Sequence, residues 1–258
     1  MIDSLRFTFG LLSVLPAGMP ATVDRTVGRR AMLLAPVVGA VLGGVAAGVV
    51  ALAQLVRPDA DLLAAVLGVL VVAGLSGGLH LDGLADFADA LGSRRDRETM
   101  LRIMKQSDIG PFGVLAITGV LLVDVAALTA CLQAGFGWQA ILVATTASRL
   151  TLPWTCRTTV PSARPDGLGT MVTATIRPAT AALATFAALA AATALAYLTA
   201  STSRAVAVAL ATLVAVLVAL ATTRRARTAL GGTTGDVLGA AIELALPLTL
   251  TTLALTPL

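Results

Sequence analysis

The stretch that decides the fold is Leu62 to Leu79, LLAAVLGVLVVAGLSGGL, which carries no charge and runs straight into His80-Leu81-Asp82-Gly83-Leu84-Ala85-Asp86-Phe87-Ala88-Asp89. Its 18 residues, at about 1.5 Å each, nearly cross the ~30 Å hydrocarbon layer of a bilayer. The run reads as a membrane span, so the aspartates that follow lie at a membrane surface. On a helix, Asp82, Asp86 and Asp89 fall within about 60° of one another, because steps of four and seven residues nearly complete whole turns. Like charges at such spacing weaken a helix by about 0.2–0.5 kcal/mol per pair, so three on one face call for a compensating cation. Carboxylate oxygens suit Mg²⁺, which is usually held by one or two carboxylates together with substrate phosphates. A solvated acidic helix start is the plainer alternative, and the uncharged run in front of it favours the metal.

Working outward, the same apolar character continues along the chain. Hydrophobic residues make up 57% and charged residues 12%, and the mean hydropathy of +0.91 excludes an ordinary water-soluble globule. Ala31 to Val56 and Pro178 to Ser203 are uncharged, as is Ala205 to Thr223. Phe112 to Cys131 is interrupted only by Asp124, Gly135 to Cys156 only by Arg149, and Val237 to Leu258 only by Glu243. Together these predict an all-α, polytopic membrane protein of about seven transmembrane helices, one catalytic domain over residues 1–258. Met1 to Pro20 carries Asp3 and Arg6 and lacks the layout of a cleaved signal, so it is expected to stay attached. Cys131 and Cys156 have no metal-ligand spacing and read as small buried hydrophobes.

Charge placement gives the orientation. Four basic residues precede the first span, five lie in the loop 80–108, three in 157–177 and three in 224–236, all on one side; Arg57 and Arg204 fall on the other. Such asymmetry predicts that the N-terminus and the three motif loops are cytoplasmic and the C-terminus outside. The formal net charge of +4 therefore reports topology rather than nucleic-acid binding.

Further residues carry candidate chemistry. Gly231 to Gly235 precedes a predicted helix, and its backbone N–H groups and hydroxyls, at Gly232, Thr234 and Gly235, suit a phosphate. Asp236 and Glu243 are seven apart and share a helical face, with Glu243 about 10 Å deeper, where an acid is expected to meet a cavity or a partner. Asp236 would repel the phosphate unless a cation lay between, so its helix is expected to pack against that of Asp82 to Asp89. Arg149 either pairs with Asp124 or joins Arg157 and Arg164 as anion contacts at the mouth; for Arg157 and Arg164 a purely topogenic role competes equally. His80, the one histidine, is a ligand, a proton carrier or a polar helix start.

The block Gly77 to Asp89, followed by Ile103-Met104-Lys105-Gln106-Ser107-Asp108-Ile109-Gly110-Pro111-Phe112-Gly113, resembles the cobalamin synthase family, the adenosylcobinamide-GDP ribazoletransferases. Ala147-Ser148-Arg149, Ala163 to Gly169 and Gly231 to Ala240 agree with it in family order. Ala90 stands where the family often has glycine, and Leu15-Pro16 lacks a preceding arginine. The resemblance implies a Mg²⁺-dependent membrane enzyme that joins adenosylcobinamide-GDP to α-ribazole, or its 5′-phosphate, and releases GMP. It further implies metal at Asp82, Asp86 and Asp89, which Asp236 is expected to join through the packing of its helix, with catalysis by Asp82, Asp86 and His80, and substrate contacts at Arg149, Arg164, Lys105, Asp108, Gly232, Thr234 and Gly235. The base remains open between the aspartates and His80, and a homo-oligomer is left open. A CDP-alcohol phosphotransferase type is a rival, weakened by the missing arginine after the second aspartate. A transporter built on Asp124, Arg149 and Glu243 is another, weakened because most acids cluster in one loop.

Overall fold

The computed structural model describes residues 1–18, 20, 22–199 and 201–256. Ala200 of the fifth expected span and Pro257 and Leu258 of the last lie outside the described residues. Helix α1 is Ile2–Leu12, α2 Arg25–Val56, α3 Asp61–Leu75, α4 Leu79–Gly92, α5 Arg97–Ile103 and α6 Pro111–Gln133. Then come α7 Gly137–Arg149, α8 Thr151–Thr155, α9 Leu168–Val172, α10 Pro178–Thr199, α11 Thr202–Leu230 and α12 Gly235–Leu255. Among the described residues extended pairing is confined to two isolated parallel bridges, Arg157 with Ile176 and Ser162 with Thr233.

Local chemistry sets the helix ends. Asp24 accepts from Val27 N at 2.7 Å to open α2, Ser201 caps α11 through Arg204 N, and Thr234 caps α12 through Val237 N. Pro111 opens α6, where its missing N–H costs nothing. Between α3 and α4 the backbone turns left-handed at Gly77 (φ 65°) and Gly78 (φ 68°), a region open to glycine, and the two helices meet at 87°. A methyl group on Gly77 would also come within 2.6 Å of Val14 Cγ1.

Five helices, α2, α6, α10, α11 and α12, are long and apolar enough to cross a membrane, and the bent α3–α4 pair makes a sixth if taken as one span. The all-α polytopic architecture is thus as expected. Two segments differ in detail. The run Leu62 to Leu79 is not one straight helix, because Gly77 and Gly78 break it and turn α4 by 87° from α3. Gly135 to Cys156 divides into the 13-residue α7 and 5-residue α8, so α7 reaches only about 20 Å. It is an interior helix: Ala140, Ile141, Ala144, Thr145, Ser148 and Arg149 are fully buried. Glycines in α2 let it approach, since a methyl on Gly39 would lie 2.6 Å from Thr145 O and one on Gly43 3.0 Å from Thr145 Cβ.

The core spans α2, α3, α6, α7, α11 and α12, with Val50, Leu128, Ile141, Val208 and Leu250 fully enclosed. α12 is the most enclosed of the five long helices. Outward faces are apolar too: Leu115, Leu122, Leu183, Phe186 and Leu217 stand exposed, as lipid contact requires.

Candidate functional site

The site begins where α4 crosses α12. A methyl on Gly83 would lie 2.8 Å from Asp236 O and 2.9 Å from Asp236 Cα, and one on Gly239 3.1 Å from His80 Cα. Backbone lies on backbone at both points, so Gly83 admits no side chain without a shift and Gly239 is tightly packed. The first turns of both helices, carrying Asp82 and Asp236, are thereby brought together, as the sequence led us to expect. Their positive dipole ends meet at one place.

The loop before α12 is stitched to the segment ahead of α9. Thr233 N donates to Pro161 O at 3.0 Å and Ala163 N to Thr233 O at 2.9 Å. Gly232 is forced by this pairing, since a methyl there would come within 2.4 Å of Pro161 O. Arg97 fastens both strands of the seam, giving Nε to Leu230 O at 2.7 Å and Nη2 to Ala163 O at 2.9 Å. The sequence reading counted Arg97 only as a topogenic charge. Arg164 donates to Leu101 O at 2.9 Å and places its other guanidinium nitrogen 3.8 Å from Asp236 Oδ2.

Two cavities flank Asp236. One of about 320 Å³ has Asp82, His80, Gly235, Asp236 and Gly239 at its polar side and Leu11, Met32, Leu152 and Ile242 among its apolar walls. The other, about 210 Å³, is lined by Ser162, Arg164, Asp166, Thr234, Gly235 and Asp236. Gly169, Gly235 and Asp236 form the wall between them. Thr234 and Gly235 thus lie beside the carboxylates, and Thr234 Oγ1 donates to Asp236 Oδ2 at 3.2 Å.

Burial, then the charges of Asp236, Asp82 and Asp89, push the Asp86 carboxyl up to about 7 against a partial opposing pull from Arg164. Among the described residues no three acid, histidine or cysteine side chains already stand at metal-holding distance. Asp82, Asp86 and Asp236 nonetheless supply the hard oxygen donors that suit Mg²⁺.

Asp89 is turned elsewhere. Its Oδ2 accepts from Gly110 N at 2.7 Å and its Oδ1 from Gly113 N at 2.9 Å, so it caps α6 from a neighbouring helix. Methyl groups on either glycine would collide with that carboxylate. Asp89 thus caps α6, each oxygen accepting one backbone N–H and keeping a second lone pair, so stability and metal titration of Asp89 variants separate the cap from the expected ligand role.

Arg149 needs a correction. It is fully buried, lines neither cavity and donates to Ser148 Oγ at 3.0 Å, so it is no anion contact at a mouth. Among the described residues neither Asp124 nor Glu243 forms an ion pair with it, and its Nε and Nη2 are buried without a hydrogen-bond partner. His80 lies 3.7 Å from Glu243 through Nδ1 and is only 4% exposed. Both of its ring nitrogens are buried without a hydrogen-bond partner. Lys105 lies 3.7 Å from Asp166 at the rim of the smaller cavity. Asp108 is exposed, receives a hydrogen bond from Ser107 Oγ, and lines neither cavity.

Comparison with known proteins gives a consistent set. The sequence model of the family described as cobalamin-5-phosphate synthase matches residues 4–254. An adenosylcobinamide-GDP ribazoletransferase of Frankia casuarinae is 42% identical over 200 residues, covering 76% of this chain and 72% of that protein. Proteins of the same name from Sinorhizobium medicae and Klebsiella pneumoniae are each 36% identical, over 72% and 75% of this chain and 70% and 76% of their own length. No solved structure matches.

Proposed function

The chain belongs to the cobalamin-5-phosphate synthase family, and on that premise we propose that it joins adenosylcobinamide-GDP to α-ribazole, or to α-ribazole 5′-phosphate, and releases GMP. The observation that carries this reading is the meeting of two helix N-termini at a cavity edged by Asp82, Gly235 and Asp236. Backbone N–H groups at two positive helix ends suit a diphosphate. Carboxylates at the same place do not, unless a cation separates them from it. Asp82, Asp86 and Asp236 would hold Mg²⁺, and the Asp86 carboxyl, raised first by burial and then by Asp236, Asp82 and Asp89, would gain a counter-charge from such an ion. When bound, the ion supplies Lewis-acid polarisation of the diphosphate and neutralises the departing phosphate.

The remaining work belongs to the chain. The N–H groups at the start of α12 and the guanidinium of Arg164 orient the diphosphate, while the apolar wall of Leu11, Met32, Leu152 and Ile242 receives an aromatic base and excludes water. A ribose hydroxyl of α-ribazole forms the new bond to the phosphorus beside the cobinamide. The bond from that phosphorus to GMP breaks, and the hydroxyl proton passes to an aspartate of the cluster. His80 is the poorer acceptor, being enclosed. The basic residues gathered at the ends of the site support an orientation with these loops in the cytoplasm. The test is to incubate the purified full chain with adenosylcobinamide-GDP, α-ribazole and Mg²⁺. GMP and complete corrinoid should appear in equal amounts, and intact substrates after prolonged incubation would contradict the proposal.

A further inference from the structure

A larger cavity, about 440 Å³, opens between the loop after α8 and the last turns of α11, and it shares no residue with the two beside Asp236. Its lining is Arg157, Leu220, Thr223, Arg224, Arg227 and Thr228, with three guanidinium groups and no acid. None of the three takes part in the ion pairs found among the described residues. Arg157 stacks over the Trp154 ring at 5.1 Å, and its Nε is buried without a hydrogen-bond partner. Burial, then the charge of Arg227, holds Arg157 below its ordinary pKa. Arginines kept this close without counter-charge are arranged for an anion that bridges them.

The helix that leads to the cavity says which anion. Val206, Leu210, Leu213 and Leu217 are exposed and recur at spacings of four, three and four, so they form one outward stripe along α11. The same face continues through Leu220 into Arg224. An apolar stripe that ends in a cradle of guanidinium groups, with a tryptophan at the same level, matches an acyl chain topped by a phosphate at the membrane surface. Free phosphate would use the cradle alone, whereas a lipid uses the cradle and the adjoining stripe together. We propose that this cavity holds the phosphate of an anionic phospholipid, with its acyl chain lying along Val206 to Leu217.

Native mass spectrometry and thermal unfolding of the full chain in mixed micelles test this, with phosphatidylglycerol, phosphatidylcholine and inorganic phosphate as probes. Phosphatidylglycerol should be retained and should raise the unfolding temperature, while phosphatidylcholine does neither. A basic residue near a membrane surface contributes about a fivefold preference for anionic lipid, so Arg224→Gln and Arg227→Gln should each weaken phosphatidylglycerol binding about fivefold. Both side chains are exposed, which keeps the variants folded. Arg94→Gln combined with Arg95→Gln removes twice the charge of either variant elsewhere and should still change binding less than twofold. Equal retention of both lipids would overturn the proposal, as would an equal loss in the Arg94/Arg95 variant, or full displacement of the lipid by millimolar phosphate.

Discussion

Replacing Asp89 with alanine separates a helix cap from a metal ligand, because the two roles predict opposite results. The structure commits both carboxylate oxygens to backbone donors, Gly110 N at 2.7 Å and Gly113 N at 2.9 Å. These are the N-cap and third residue of α6, two of the donors that a helix start leaves without partners. A hydrogen bond to a charged group contributes about 1.5–3 kcal/mol net, and loss of an N-cap costs about 0.5–2 kcal/mol. Water can reach this partly buried site and recover a share, so the loss should be about 2–3 kcal/mol. For a chain of this size that is a fall of roughly 5–10 °C in unfolding temperature. Asp89→Asn, which keeps one acceptor and turns a donor on the other glycine, should fall in between. Thermal unfolding in detergent gives the stability, and calorimetric titration with Mg²⁺ gives the metal affinity, expected within about threefold of the unmodified protein. An Asp89→Ala protein of unchanged stability that has lost Mg²⁺ would refute the cap and restore Asp89 as a ligand.

Gly83→Ala sets a methyl 2.8–2.9 Å from Asp236 backbone, so α4 and α12 must part; unfolding measurements should register about 1–3 kcal/mol of strain and GMP release should fall more than tenfold. Arg164→Gln removes the guanidinium 3.8 Å from Asp236 and should raise KM for adenosylcobinamide-GDP about tenfold, one charged hydrogen bond, in steady-state kinetics. Asp86 binds its proton more tightly when folded, at about 7 against an ordinary 3.8, so its stabilising share is whole below about pH 4 and is lost as pH rises through 7. Metal-free protein should therefore unfold more readily at pH 8 than at pH 6, and Asp86→Asn should flatten that dependence in a denaturant series.

The long uncharged runs made the membrane fold readable, because a bilayer of fixed thickness leaves a plain mark on composition. The union of α4 and α12 was readable too, from the conflict between an acid at position 236 and a phosphate-holding loop beside it. Arg149 was harder: a span interrupted by one arginine looks alike in sequence whether that residue faces a mouth or the interior. Only the packing of α7 behind Gly39 and Gly43 decides it. The periodicity that put Asp89 on the face of Asp82 and Asp86 holds to within about 60°, a range wide enough to turn one carboxylate towards α6. The signal that would have found this is the pair Gly110 and Gly113 around Pro111, small residues at the very donors a neighbouring carboxylate needs. The break at Gly77-Gly78 was present in the sequence as well, yet a hydropathy run passes over glycine unmarked.

Mn²⁺ affinity, measured by electron paramagnetic resonance on the full chain in nanodiscs with adenosylcobinamide-GDP present, tests most directly whether the starts of α4 and α12 form one site. Asp86→Asn and Asp236→Asn lie about 150 residues apart in the chain, and each should weaken Mn²⁺ at least tenfold, the common loss on removing a charged group from a metal site. Asp89→Asn should leave it within about threefold. An Asp236→Asn protein that binds Mn²⁺ as tightly as the unmodified chain would contradict the account.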